Sequence, residues 1–422
     1  MSHNTIVTKL ILVVVYLSNT ILCGDSNNSV SSLVSDALMI INNDLPSYKD
    51  LSNGLETAVE NISDLHADII EIIENNGYEA EKHNVTTKDG YILGVHRIPG
   101  KGEPIFLMHG LLLSSDDWVT PQKERGLAFL LANDGYDVWM GNARGNVHSR
   151  HHEHLSPESD EFWEFSWDEI GRYDLPAMID YVLEVTGRTQ LQFIGHSQGT
   201  TSFFVMCSEL SEYNGKIKKM IALSAVAWSS HVRSPIVKLI SPIAPLATLL
   251  NIHEFLPRNE IMNVITTAAC GTPESAAVVC NTIISLFCGF DNSQINFEVI
   301  ATIFQHFPAG CSLKQLLHYA QIITSGYFRP YDYGIVLNLA KYGSSKPSDY
   351  DVSNIDAPVY ILHGQNDWFS NITDVEILID KLPNFKELFV VPWKSFNHMD
   401  FLYSKDIKTL VYDKLSSILK IN

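Results

Sequence analysis

LQFIGHS (residues 191–197) runs straight into QGTTSFFVMCSEL (198–210), and this is the most informative stretch of the 422-residue chain. The first part is a short apolar run of strand character, and the second has a helical pattern. The junction is Gly195, His196, Ser197, Gln198, Gly199, a G-x-S-x-G sequence. The five residues alone are weak evidence, but their place between a strand and a helix gives them weight. A sharp strand-to-helix turn of this kind, a nucleophile elbow, lifts a serine hydroxyl above the end of a sheet. The glycines remove side chains where strand and helix come close. The Gln198 N–H falls among the unpaired donors of a helix N-terminus, where an oxyanion could be held.

Similar short apolar runs occur on both sides of this stretch: IFLMHG (105–110), YDVWMGN (136–142), KMIALSAVAW (219–228), PVYILHG (358–364) and KELFVVP (386–392). Each is bounded by Gly, Asn or Pro, and each reads as a buried parallel strand. Residues 122–133 and 168–186 read as helices. In the second, Ile170, Tyr173, Met178, Tyr181, Val182 and Val185 share one face. Strand–helix alternation predicts an α/β fold with a mostly parallel central sheet. The alternation lapses over residues 229–350, an apolar segment without clear strand signals. It is expected to be an inserted, mainly helical cap between two parts of the core, 56–228 and 351–422.

A serine nucleophile needs a base, and the base needs an orienting carboxylate. Behind an elbow of this kind the chain order is Ser, then Asp or Glu, then His. Asp367, in HGQNDW, follows PVYILHG, so it lies at the C-terminal end of a strand, where catalytic groups gather in open α/β sheets. Beyond it the chain has a single histidine, His398 in FNHMDF, which follows the last strand. The expected catalytic set is Ser197, Asp367 and His398. His196, next to the serine, should point away from it, and Asp400 lies too close in sequence to His398 to orient the correct ring nitrogen. A second oxyanion donor should come from the loop after IFLMHG, with Leu111 N–H as candidate and His109 and Gly110 shaping the turn.

Composition narrows the substrates. Lys+Arg number 29 against 48 Asp+Glu, a formal charge of −19, and no basic run offsets it. Such a chain repels phosphate backbones, which excludes nucleic acid as a partner and suits neutral substrates or an acidic medium. LILVVVYL (10–17) followed by SNTILCGD is too short to span a membrane, and 1–23 reads as a secretory signal. No later apolar run is long enough for a span. A polar lead-in follows at 24–55. Sequons at Asn27, Asn61, Asn84 and Asn371 suit the same route as glycosylation acceptors. After signal removal the cysteines are odd in number, so at least one thiol stays free.

Other features take plainer readings. His148, His151, His152, Glu153 and His154 lack H-E-x-x-H spacing and precede Pro157, so they read as a loop and no metal site is expected. Asp168, Glu169 and Asp174 read as solvated or structural carboxylates. No P-loop or G-x-G-x-x-G occurs, so no cofactor is expected. No protein partner is identifiable.

GHSQG, LMHGLLLSS, GNARGNVHSR, SPESDEFWEFSWDEIGRYDLPAMIDYV, HGQNDW and FNHMDF together resemble the acid lipase family of gastric and lysosomal lipases. TTKDGYILGVHRIPG, LFCGFD and PAG match as well, and the resemblance runs from about residue 65 to the C-terminus. It implies an α/β-hydrolase fold and hydrolysis of triacylglycerols or cholesteryl esters at an oil–water interface. It also implies Ser197, Asp367 and His398 as the triad, Leu111 and Gln198 as oxyanion donors, and a lid at about 255–290. By resemblance Cys270–Cys280 is a disulfide and Cys288 is unpaired. Cys311 departs from the family's pattern and leaves a Cys288–Cys311 pairing open. The residues alone also accommodate a carboxylesterase or thioesterase with soluble substrates, or a non-catalytic lipid carrier.

Overall fold

The computed structural model describes residues 68–240, 253–258, 281–291, 293–294 and 297–421. The expected signal and lead-in, Asn27, Asn61, Cys270, Cys280 and most of the expected lid lie outside them. Within the described residues a nine-stranded sheet forms the centre. β1 (Glu81–Thr86) and β2 (Tyr91–Ile98) make an antiparallel hairpin. β2 also pairs antiparallel with β4 (Asp137–Gly141) and with the two-residue β5 (His151–His152). The parallel part consists of β3 (Pro104–Met108), β4, β6 (Leu191–His196), β7 (Ile217–Leu223), β10 (Val359–His363) and β11 (Phe385–Val390). The order across the sheet is β1-β2-β4-β3-β6-β7-β10-β11.

The apolar runs make strands because both faces of the sheet are covered. Ile105, Leu107, Val138, Met140, Ile194, Ile221 and Leu362 pack on one side with α2 (Leu127–Asn133) and α11 (Asp413–Leu419). Phe106, Met108, Trp139, Phe193, Met220 and Ile361 alternate with them onto the other side. There they meet α3 (Leu175–Thr186) and α4 (Gln198–Glu209). Each buried Leu, Ile or Phe contributes about 1.5–3 kcal/mol. β11 departs from the buried reading, since as an edge strand it is only half-covered.

The two expected helices are each shorter than the pattern. Gly126 caps α2, so residues 122–126 form turns, with Gln122 at φ 71. The 168–186 helix starts as a short turn at Trp167–Glu169 and widens into a π turn over Ile170–Asp174 before α3. Pro176 supplies the cause: it has no N–H for the Arg172 carbonyl, and its ring needs the room that a wider turn gives. Val185, expected on the buried face, is 44% exposed. Asp174 is fully buried against Arg144 Nε at 2.7 Å, so it is structural and not solvated.

Helices dominate what is described of 229–350: α5 (Pro235–Ile240), α6 (Asn281–Cys288), α7 (Phe297–His306), α8 (Leu313–Ser325) and α9 (Ile335–Tyr342). The two-residue strands β8 (Glu254–Phe255) and β9 (Cys311–Ser312) pair antiparallel. α9 is folded inside out. Its Asn338 is fully buried and bonded to Asp332, Ser345 and Tyr333, whereas Ile335, Val336, Leu337 and Leu339 are 66, 79, 55 and 52% exposed. No helix among the described residues is long and apolar enough to cross a membrane.

The strand order places the site. From β3 the chain moves outward to β4, then crosses back over β3 to β6. The carboxyl ends of β3 and β6 therefore adjoin where the direction of the connections reverses, the place where ligand sites form in open α/β sheets.

Candidate active site

Ser197 sits at the end of β6 with φ 52 and ψ −117, a conformation an L-residue adopts at a cost of about 1–3 kcal/mol. The turn is held by Ser197 N–H donating to Leu223 O (3.1 Å) and by the Thr200 N–H returning to Ser197 O (2.9 Å). The glycines are required by contact. A Cβ on Gly199 would lie 2.3 Å from Met108 O, and one on Gly195 3.0 Å from the Gly199 carbonyl carbon. One on Gly110 would lie 3.0 Å from Ser197 Cβ, so the loop after β3 runs directly against the serine.

Asp367 and His398 come together from the ends of β10 and β11. His398 Nδ1 is 3.0 Å from both oxygens of Asp367. Oδ1 also accepts the N–H groups of Phe369 (2.9 Å) and Ser370 (2.8 Å). Burial pushes the Asp367 carboxyl up. His398, the Ser224 hydroxyl and the Ser370 N–H outweigh that and hold it below the usual range. Asp400 does not reach the imidazole ring: its Oδ2 accepts Asn397 N–H at 2.7 Å. Ser197 Oγ is not hydrogen-bonded to His398 Nε2 or to another described residue.

His196 turns away from the serine and donates from Nε2 to His398 O at 2.9 Å. Burial, then the neighbouring His398, pushes its imidazole down to about 3, so it is a neutral prop beneath the His398 loop. Sequence reasoning missed this bond.

The Leu111 and Gln198 N–H groups donate to nothing among the described residues. His109 sets the direction of the first. Its Nε2 accepts Ala143 N–H at 3.1 Å, so the proton sits on Nδ1 and goes to Gly110 O at 2.7 Å. In a trans peptide the C=O and the following N–H point opposite ways. Fixing Gly110 O toward His109 therefore aims Leu111 N–H away from it. Burial pushes His109 down to about 4, which keeps it neutral. Leu112, at φ 63, accepts Ala309 N–H at 2.8 Å. The PAG segment thus braces the loop after β3.

Further bonds tie the 229–350 segment to the site. Gln315 Oε1 accepts Gln198 Nε2 at 2.7 Å, and Phe290 O accepts Asn366 Nδ2 at 2.9 Å. A Cβ on Gly289 would lie 2.2 Å from Asn366 O, so the LFCGFD segment lies on the Asp367 loop. Asp116, just beyond Leu111–Leu113, is buried against His148 Nε2 (2.6 Å), His306 Nδ1 (2.8 Å) and Arg258 Nη1 (3.5 Å). That accounts for one histidine of the 148–154 cluster. His152 instead bonds Asp89 O and the N–H groups of His154 and Leu155.

Ser224, at the end of β7, is a contact the sequence reading passed over: its Oγ meets both Asp367 and His398. The available signal was its place, a polar residue closing an apolar strand beside the elbow strand. Cys288 and Cys311 are both free and buried, as is Cys207. Of the sequons, Asn84 is exposed on β1. Asn371 caps α10 (Ile372–Lys381) through Oδ1, which leaves its amide nitrogen available.

Comparison with known proteins follows the same lines. A family model described as a partial alpha/beta-hydrolase lipase region matches residues 69–122, and one for the alpha/beta hydrolase fold matches 103–239. Lipase 3 of Drosophila melanogaster is 42% identical over 83% of this chain and 92% of its own length. Human gastric triacylglycerol lipase is 37% identical over 83% and 90%, respectively. Human lysosomal acid lipase/cholesteryl ester hydrolase is 36% identical over 88% and 95%. Among solved structures, a soluble variant of monoglyceride lipase from Saccharomyces cerevisiae shares the fold, with TM-score 0.50 and 16% identity over 81% of this chain and 95% of that one.

Proposed function

Since the chain belongs to the gastric and lysosomal acid lipase family and is an ester hydrolase of the α/β-hydrolase type, we propose that Ser197, His398 and Asp367 are the triad with which it cleaves neutral lipids. His398 Nε2 takes the Ser197 proton as Oγ attacks the ester carbonyl. The Leu111 and Gln198 N–H groups bind the tetrahedral oxyanion. The alcohol leaves with a proton from the imidazolium, and water activated by the same base releases the fatty acid from the acyl-enzyme. Asp367 holds the ring in its Nδ1–H tautomer.

The observation that carries this reading is the strained serine at the β6 elbow beside a carboxylate–imidazole pair, with the Leu111 and Gln198 N–H groups, next to it on either loop, donating to nothing among the described residues. Hydrogen bonds between nucleophile and base are often long before substrate binds and tighten in the complex. Triacylglycerols and cholesteryl esters are the substrates, a choice supported by the gastric and lysosomal relatives. The apolar outer face of α9 supports work at an oil–water interface. Residues 229–350 act as the cap and about 255–290 as its lid. The same reading includes a signal at 1–23, a Cys270–Cys280 disulfide and glycans on Asn27, Asn61, Asn84 and Asn371, with the mature enzyme outside the cell or in the lysosomal lumen, as supported by the gastric and lysosomal relatives.

Rate against concentration of a short-chain ester, followed through its solubility limit, tests the substrate class. A lipase shows a jump when droplets form; saturation below the limit with no later rise would point to an esterase of dissolved substrates.

A further inference from the structure

The three-residue account leaves Ser224 without a task, although its placement is costly. It is fully buried with φ 58, the left-handed region that glycine enters freely and serine only against steric resistance. Leu223 pairs with His196 on one side and with Leu362 on the other, and Ser224 N–H donates to Leu362 O at 3.0 Å. The residue is thus held in the notch between the nucleophile strand and the carboxylate strand. From there Oγ reaches Asp367 Oδ2 and lies 2.6 Å from His398 Nδ1.

One arrangement of protons satisfies all three groups. An ionised carboxylate only accepts, so the hydroxyl hydrogen of Ser224 goes to Asp367 Oδ2. The Nδ1–H of His398 is then shared between the Ser224 lone pair and the Asp367 oxygens. We propose that Ser224 is a positioning residue of the ester-hydrolysing site, its hydroxyl bridging His398 and Asp367 so that the ring is fixed with Nε2 free toward Ser197. The proposal rests on the triad reading above.

A second consequence concerns acid. By donating to Asp367, the hydroxyl takes up part of the negative charge that the carboxylate presents to the imidazole. Removing it leaves that charge uncompensated, so the acidic limb of activity moves up. The other titratable groups facing the pair come from four places: His196 at the end of β6, His363 at the end of β10, Cys288 at the end of α6, and Asp400 beyond His398. Burial pushes both imidazoles down and keeps the thiol and the Asp400 carboxyl protonated in acid. The limb therefore reports the Asp367–His398 pair.

The test uses Ser224→Gly and Ser224→Ala in the full chain, with a soluble p-nitrophenyl ester. Glycine accepts φ 58 without strain, so that variant keeps its fold even if the alanine variant does not. In Ser224→Gly, kcat is expected to fall about 10- to 100-fold with KM within about 2-fold, at an undiminished thermal midpoint. The acidic limb of kcat/KM is expected to rise by about half a pH unit or more. In an Asp367→Asn background the same change should alter the rate less than about 2-fold, because the partner is gone. A Ser224→Gly enzyme with wild-type kcat and pH profile would overturn the proposal while Asp367→Asn kept only a small residual rate. Should Asp367→Asn itself run at the wild-type rate, the triad reading fails and this proposal with it.

Discussion

Two glycines and one carboxyl make sharp claims at the scale of single residues. Gly199 and Gly195 flank the serine, but their surroundings differ: an added Cβ would lie 2.3 Å from backbone oxygen at the first and 3.0 Å from backbone carbon at the second. Backbone atoms of a packed strand cannot yield, so Gly199→Ala should destabilise by about 2–3 kcal/mol and abolish activity, with Gly195→Ala the milder change. Thermal unfolding and ester turnover of the pair check the ranking; equal effects would contradict it. Asp117 is the second case. Burial, with help from neighbouring Asp116, pushes its carboxyl up to about 6, and Ser114 N–H and the Tyr403 hydroxyl bond its oxygens. The folded state therefore holds a proton that the unfolded chain gives up near pH 4. Its stabilising share is present below the unfolded value and lost as pH rises through about 6. Asp117→Asn, an isostere of the protonated acid, should be more stable than wild type at pH 7 by about 2–3 kcal/mol, with the gap closing toward pH 4. Denaturant titrations at the two pH values read this directly, and a gap independent of pH would refute it.

Elements differ in how much of themselves they wrote into the sequence. The strands of the parallel part were legible because each is buried on both faces, which leaves a short apolar run with turn residues at its ends. β1 and β2 were not, since β1 alternates polar residues along a half-exposed edge. The π turn before α3 was hidden because it follows from Pro176 meeting the carbonyl four residues earlier, which periodicity does not register. At the candidate site, motif and chain order single out Ser197, Asp367 and His398, and the structure brings the last two into contact. The partners of Ser224 and His196 depend on which strand ends lie side by side, and for Ser224 the sequence offers only a polar residue closing an apolar strand. α9 makes the same point in reverse: its Ile335, Val336, Leu337 and Leu339 lie outside and Asn338 inside, which no count of apolar residues would give. If the face meets lipid, replacing Ile335, Val336 and Leu337 together by serine should lower turnover of emulsified triacylglycerol about 5- to 10-fold. A dissolved ester should be hydrolysed within about 2-fold of the wild-type rate, since the chemistry is untouched. Equal loss on both substrates would mean that the helix serves the fold instead.

For the whole molecule, the sheet order explains why residues spread from Leu111 to His398 gather at the carboxyl ends of the parallel strands. β3 and β6 adjoin where the order reverses, Ser224 and Asp367 follow β7 and β10, and Ala309 and Gln315 of the 229–350 segment bond to Leu112 and Gln198. A net charge of −19 goes with uncharged substrates. The most direct test is fatty-acid release from emulsified long-chain triacylglycerol by the full-length protein and by Ser197→Ala, from acidic to neutral buffers. The account predicts steady release by the wild type and a fall of roughly 10⁴- to 10⁶-fold in kcat on substitution. Release that survives Ser197→Ala, or none from the wild type in any buffer, would contradict it.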